Sequence, residues 1–296
     1  MTQLDQKTRG LFQDFARAFT KLRVEVSPGK VHRLRTTIRR IESFICYVDP
    51  NLGRKQTRRL DELTRLRKRA GKVRNFDVQI RLLGSIANRS TVSDRRVLVE
   101  LFKARRDKQA RRLSSALKKL EKSGLLVRLE KILGKSGSLA NSDNNGKITP
   151  LEQAKSELLS LSADVPAHQN IKPRLLHELR ISLKLIRYTA ELAEESDGRE
   201  QFLGNLKSVH DAIGEWHDWQ SLVKTAEKKF GDRVNCPLLV EMRSLFAAKY
   251  SAANSAVANL LLLSTTVVNK KQPQSASSQS VSLKPNSAKP DSARLA

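Results

Sequence analysis

The chain has 296 residues, enough for one large or two ordinary domains with their own apolar cores, and carries 56 Lys and Arg against 30 Asp and Glu, a formal charge of +26. No fold requires such an excess, which repels itself in a compact state, so it implies a polyanionic partner. Two cysteines exclude a disulfide framework and a cysteine-built zinc site, and aromatics at 5% make base-stacking platforms scarce, which favours a partner recognised by its phosphates.

Apolar residues recur three and four apart, and no segment alternates with period two between hairpin turns, which predicts an all-α protein. The first helix is expected over Gln3 to Glu25, where Asp5, Lys7, Arg9 and Asp14 break any apolar run of the kind an export signal needs; with the free cysteines this points to a reducing cytoplasm. Ser27-Pro28 opens the next helix as N-cap and N1, and Asp49-Pro50-Asn51-Leu52-Gly53 closes it. Helices over Arg54 to Ala87 and Ser93 to Lys122 follow. The span Arg54 to Arg112 holds 20 Lys and Arg against 6 acidic residues, so these helices must present a basic face.

Gly, Ser and Asn then replace the charged and apolar pattern, which marks 134–149 as a linker between a first helical repeat, 1–133, and a second, 150–268. The second repeat is expected to hold helices over Pro150 to Leu161, Lys172 to Glu195, Gly198 to Phe230 and Pro237 to Val268. The last includes Ser251 to Val268, which is uncharged; seven of its positions are Ser, Asn or Thr, so it reads as a buried C-terminal helix and no membrane association is expected. Residues 269–296, rich in Ser, Gln, Pro and Lys without an aromatic, read as a disordered tail.

Two segments about 145 residues apart repeat one another. Val31-His32-Arg33-Leu34-Arg35-Thr36-Thr37-Ile38-Arg39-Arg40-Ile41 and Leu176-His177-Glu178-Leu179-Arg180-Ile181-Ser182-Leu183-Lys184-Leu185-Ile186-Arg187-Tyr188 each show His, then Arg three residues on, then a basic residue four further. At about 100° per residue the three side chains fall within roughly a 60° arc. Each forms a stripe on one helix face, bordering an apolar stripe of Leu34, Ile38, Ile41 and Ile45 in the first copy and Leu176, Leu179, Leu183 and Ile186 in the second. A little under 40 residues after each stripe, Gly71-Lys72-Val73-Arg74-Asn75-Phe76 matches Gly214-Glu215-Trp216-His217-Asp218-Trp219. Glycine in a helix costs up to about 1 kcal/mol against alanine, so its recurrence suggests close approach of helix backbones. Guanidinium forks match phosphate oxygens and stay charged, and histidine adds a donor that responds to a neighbouring anion.

These motifs, in this order and spacing, resemble the CHAD domain, the conserved histidine α-helical domain, over roughly Leu4 to Val268. The resemblance implies two antiparallel helical bundles related by a pseudo-twofold axis, with a basic cavity that binds inorganic polyphosphate, and association with polyphosphate granules in bacteria. Residue by residue it implicates His32, Arg35, Arg39 and Arg40 from the first copy and His177, Arg180, Lys184 and Arg187 from the second. Lys68, Arg69 and Arg74, with Lys207 and His210, are further candidates near the glycine match. Asn75 stands where the family more often has an acidic residue, and Thr36 where it more often has an apolar one.

A nucleic-acid ligand is the alternative reading of the charge, although no helix-turn-helix, zinc finger or aromatic RNA-binding signature stands out. His210-Asp211 and His217-Asp218, seven residues apart, raise a metal-dependent phosphohydrolase, but further ligands are not evident. No phosphate-binding glycine loop, nucleophile elbow or two-carboxylate pair occurs. The expectation is a binding module without catalysis, metal or cofactor. Trp216 and Trp219 read as core anchors.

Overall fold

The computed structural model describes residues 3–49, 53–142, 148–163, 165, 171–231 and 236–269. All regular elements among them are helical: α1 (Gln3–Val24), α2 (Pro28–Val48), α3 (Arg54–Gly84), α4 (Val92–Lys122), α5 (Leu125–Ser142), α6 (Pro150–Ala163), α7 (Pro173–Ala190), α8 (Asp197–Phe230) and α9 (Pro237–Asn269), with a 3-10 turn at Arg89–Thr91. The tail expected from 269 onward lies outside the described residues, apart from Asn269, which closes α9.

Local chemistry sets the helix ends. Pro28 follows an extended Ser27 as the first residue of α2, where its missing N–H is no loss. At the start of α6, Thr149 Oγ1 accepts from the Glu152 N–H at 3.2 Å while Glu152 Oε2 accepts from the Thr149 N–H at 3.0 Å, a reciprocal capping box. Gly124, with φ of 69°, stops α4, a conformation that costs glycine nothing.

Two elements depart from the sequence reading. Residues 125–142 form a helix that includes the first part of the expected linker. Leu125, Leu129, Ile132 and Leu133 are buried in the first bundle and anchor the start of this helix, and no proline interrupts the segment after them. In the opposite sense, α7 stops at Ala190, short of the expected Glu195. Leu192 turns into the first bundle's core, and Lys7 donates to the carbonyls of Leu192 and Ala193 that the helix would otherwise use.

Three apolar clusters hold the molecule. The first joins α1, α2, the first half of α3, the end of α4 and α5; it buries Leu34, Ile38, Ile41 and Ile45 completely. The second joins α6, α7, the first half of α8 and the end of α9, with Leu176, Leu179, Leu183 and Ile186 at most 3% exposed. Each such side chain contributes roughly 1.5–3 kcal/mol, so the two apolar stripes are anchors of their bundles. The third cluster is shared: Leu83, Ile86, Leu98 and Phe102 from α3, α4 and their connection pack with Trp219, Leu222, Phe230 and Met242 from α8 and α9. Both tryptophans are core residues.

The most extensive helix-helix contacts between the halves pair like with like. The two stripe-bearing helices α2 and α7 pack together, as do the two glycine-bearing helices α3 and α8. Gln79 on α3 donates to Ser221 on α8 at 3.0 Å across this seam. Ala253, Val257 and Leu260 of α9 belong to the second core, and among the described residues no helix is long and apolar enough to cross a membrane.

Candidate anion-binding site

Because α2 packs on α7 and α3 on α8, the hydrophilic borders of their apolar stripes converge. Arg35 and Arg39 on α2 lie in the field of Arg67 and, for Arg35, Arg74 on α3 and Arg180 on α7. Arg180 and Lys184 in turn sense Arg39, and Lys184 also senses Arg35. The two expected stripes therefore form one cluster, with Arg35, Arg39, Arg180 and Lys184 at its centre, all partly buried.

Burial of like charges leaves its mark on protonation. Burial first, then Arg39, Arg67, Arg74 and Arg180, push the Arg35 guanidinium down to about 10. Lys184 is pushed down to about 6, again by burial and then by Arg180, Arg39 and Arg35, with Asp218 the opposing carboxylate. His210 falls to about 4 through burial and the charges of Lys184, Arg187 and Arg180, against Asp211. His32, through burial, Arg74 and Arg35, and His177, through burial, His217, Arg180 and Lys184, are lowered in the same direction.

Compensation at the centre is indirect: Asp218 acts on Arg180 and Lys184 and Glu42 on Arg39 through the field alone. Among the described residues no carboxylate forms an ion pair with Arg35, Arg39, Arg180 or Lys184, and the buried Nε atoms of Arg35 and Arg180 have no hydrogen-bond partner. The same holds for the buried Nδ1 atoms of His210 and His217. Their nearest carboxylates, Asp211 and Asp218, stand 3.7 Å away, too far for a hydrogen bond. A buried donor left without an acceptor, as each guanidinium Nε–H is, costs about 1–3 kcal/mol, which a bound anion would recover.

The remaining candidates are placed differently. Arg40 donates to Glu191 Oε2 at 2.8 Å and Arg187 to Glu191 Oε1 at 3.1 Å, so these two straddle one carboxylate where α2 meets the end of α7. Arg74 belongs to the cluster, and His210 stands beside Lys184. Lys207 sits outside in an exposed pair with Asp211 at 2.9 Å. Lys68 is exposed, and Arg69 lines a separate cleft against α4.

Sequence reasoning missed Arg67 and the part played by His217. Arg67 faces Arg35 and Arg39 while one side of its guanidinium pairs with Glu42 at 2.8 Å. His217 stacks on His177 with ring centroids 5.5 Å apart. The signal was present: Arg67-Gly71-Arg74 and His210-Gly214-His217 share offsets of four and seven, so each glycine helix carries its own stripe facing the site. The His177–His217 stack thus matches, in the first half, His32 beside Arg74.

Neither glycine marks the close approach of helix backbones that its recurrence suggested. Instead of admitting a neighbouring backbone, Gly71 faces the Arg35 guanidinium, whose Cζ would lie 3.6 Å from an added Cβ, and Gly214 faces nothing within 4 Å. Both spots have room for a methyl group. Gly214→Ala should therefore raise stability by about 0.5–1 kcal/mol through helix propensity, measurable as a higher urea midpoint at unchanged m-value; a loss of stability would mean that the open space beside Gly214 is closed.

An all-helical protein with a shared cationic site, short of ion pairs, between two packed bundles is the class these features define. The chain belongs to the CHAD domain family, whose model matches residues 9–227. It is similar in structure to the CHAD domain of the plant Ricinus communis, with a TM-score of 0.64 and 18% identity, covering 86% of this chain and 89% of that one. Among curated proteins none matches.

Proposed function

We propose that this protein is a non-catalytic binding module for inorganic polyphosphate, held between α2, α3, α7 and α8. The observation that carries the reading is the partly buried group of Arg35, Arg39, Arg180 and Lys184, which forms no ion pair among the described residues and leaves the Nε atoms of Arg35 and Arg180 without acceptors; its mutual repulsion calls for one multivalent anion instead of several separate ones. Polyphosphate presents a charge on every unit, and the family to which the chain belongs is associated with polyphosphate binding. His32, His177, His210, His217, Arg67 and Arg74 form the surround, with Arg40 and Arg187 at the rim if the ligand draws them from Glu191. In this reading the halves 1–133 and 150–268 are related by a pseudo-twofold axis, and the protein associates with polyphosphate granules in the cytoplasm.

Titration with long-chain polyphosphate in moderate salt should show tight binding whose logarithm falls linearly with the logarithm of salt concentration, as for other polyanions. Absence of binding at every chain length rejects the proposal. Competition separates the alternatives: DNA or RNA that displaces polyphosphate at equal phosphate concentration would make nucleic acid the ligand. As for phosphohydrolysis, among the described residues no group of three or more His, Cys, Asp or Glu side chains is placed to hold a metal ion.

A further inference from the structure

The site uses only one face of α3. With Arg67 as origin and about 100° per residue, Gly71 and Arg74 lie within about 40° of it, whereas Arg65, Arg69 and Lys72 fall about 140–200° away. All three are exposed. Across from them α4 returns antiparallel and exposes Arg112, Lys119 and Lys122 at spacings of seven and three, on one face of that helix. Between the two rows lies an open cleft of about 370 Å³, lined by Arg65, Arg69, Lys119 and Arg128 and by Glu62 as its sole acid. Glu62 is paired with Arg128 at 2.9 Å, and Glu121 in the adjoining groove is paired with Arg23. Among the described residues, Arg65, Arg69 and Lys119 have no such partner.

Folding does not explain these cations. The offset that superposes Gly71 on Gly214 places Ser208, Ala212 and Glu215 where the first half has Arg65, Arg69 and Lys72. The asymmetry is general: residues 1–133 carry 35 Lys and Arg against 13 Asp and Glu, whereas residues 150–268 carry 14 against 15. The molecule's excess charge therefore lies almost wholly in the first bundle, although the central site draws on both.

The geometry points to a second, outer polyphosphate site in the α3–α4 cleft, which takes the outlying segment of a chain whose inner segment fills the central site. Lys68, about 100° from Arg67, bridges the two faces of α3. A chain leaving the centre is thus drawn over one bundle only, so the complex is one-sided and its affinity depends on chain length. This inference rests on the polyphosphate reading of the central site.

The test is the triple substitution Arg65→Gln, Arg69→Gln and Lys119→Gln, which touches only exposed side chains, with circular dichroism as a check on folding. Lys224→Gln, Lys228→Gln and Lys229→Gln remove the same charge from exposed positions of the second bundle and serve as control. Long-chain polyphosphate should bind the cleft variant about tenfold more weakly, with a salt slope shallower by about 2. Tripolyphosphate, too short to reach both sites, should bind it unchanged, and the control should bind both ligands like the parent. An unchanged long-chain affinity, an equal loss in the control, or an equal loss for tripolyphosphate would each overturn the outer site. Loss of single-stranded RNA binding alone would reassign the cleft to nucleic acid. If the parent protein binds neither polyphosphate, the central reading fails together with this one.

Discussion

On the polyphosphate reading, replacing Arg35 and Arg180 together with glutamate should reduce polyphosphate binding by at least about a thousandfold. Each residue sits in the midst of the cluster, partly buried and without an ion pair among the described residues, Arg180 feeling Asp218 only through the field. Removing two such cations forfeits two charge-assisted contacts worth roughly 1.5–3 kcal/mol each; reversing them adds repulsion against the same phosphates. The free protein should not suffer in proportion, because two carboxylates among Arg39, Arg67, Arg74 and Lys184 relieve the repulsion that the parent holds. Isothermal titration and a urea melt on the same preparation check both halves of the expectation. Unaltered binding would remove the central site from the mechanism.

Lys184→Met should stabilise the free protein by roughly 1–3 kcal/mol, the scale seen when a buried charge gives way to an apolar group of similar shape. The sign follows from linkage. The folded-state value of about 6 lies below the unfolded value of 10.5, so between these limits the folded chain binds fewer protons than the unfolded one. This residue's penalty is thus complete below about pH 6 and fades as pH rises towards 10.5. The parent should accordingly gain stability over that window relative to the methionine variant. His210, lowered to about 4, adds a loss of stability as pH falls below its ordinary value of 6.5.

On the same reading, ligand should reverse the effect at Lys184. A phosphate chain beside the amine restores its affinity for protons, so binding near pH 7 should take up close to one proton through this residue. Affinity should fall by up to about tenfold per pH unit above 6 until the bound-state value is passed. Titration calorimetry in buffers of different ionisation enthalpy reads the uptake directly. The methionine variant should lose most of it, and an identical uptake in both proteins would place the titrating group elsewhere.

Much of this architecture was legible from spacing. The apolar stripes of α2 and α7 are buried as their three-four periodicity requires, and Ser27-Pro28 marks the start of α2. The pair of His-x-x-Arg-x-x-x-basic stripes does meet, because helix periodicity fixes which side chains border an apolar face. What spacing does not carry is partner choice. Arg40 and Arg187 have the same sequence character as Arg39 and Lys184, yet both turn to Glu191, whose position depends on where α7 ends. Arg67 escaped notice because its counterpart is His210, a match of charge type that appears only when Gly71 and Gly214 are aligned as parts of a stripe. The later part of the helix at 125–142 was hidden by the Gly and Ser residues from Gly134 onward, whereas its first part, Leu125 to Leu133, is held by contacts distant in sequence.

The third apolar cluster makes the connection between α5 and α6 dispensable as a tether. Leu83, Phe102, Trp219 and Phe230 would remain interlocked if the chain were opened between Ser142 and Pro150. A nicked protein should migrate as one particle, and the two fragments, expressed separately, should complement each other. Either fragment alone would display a greasy flank and seek company, so the two parts should behave as obligate companions and not as beads on a string.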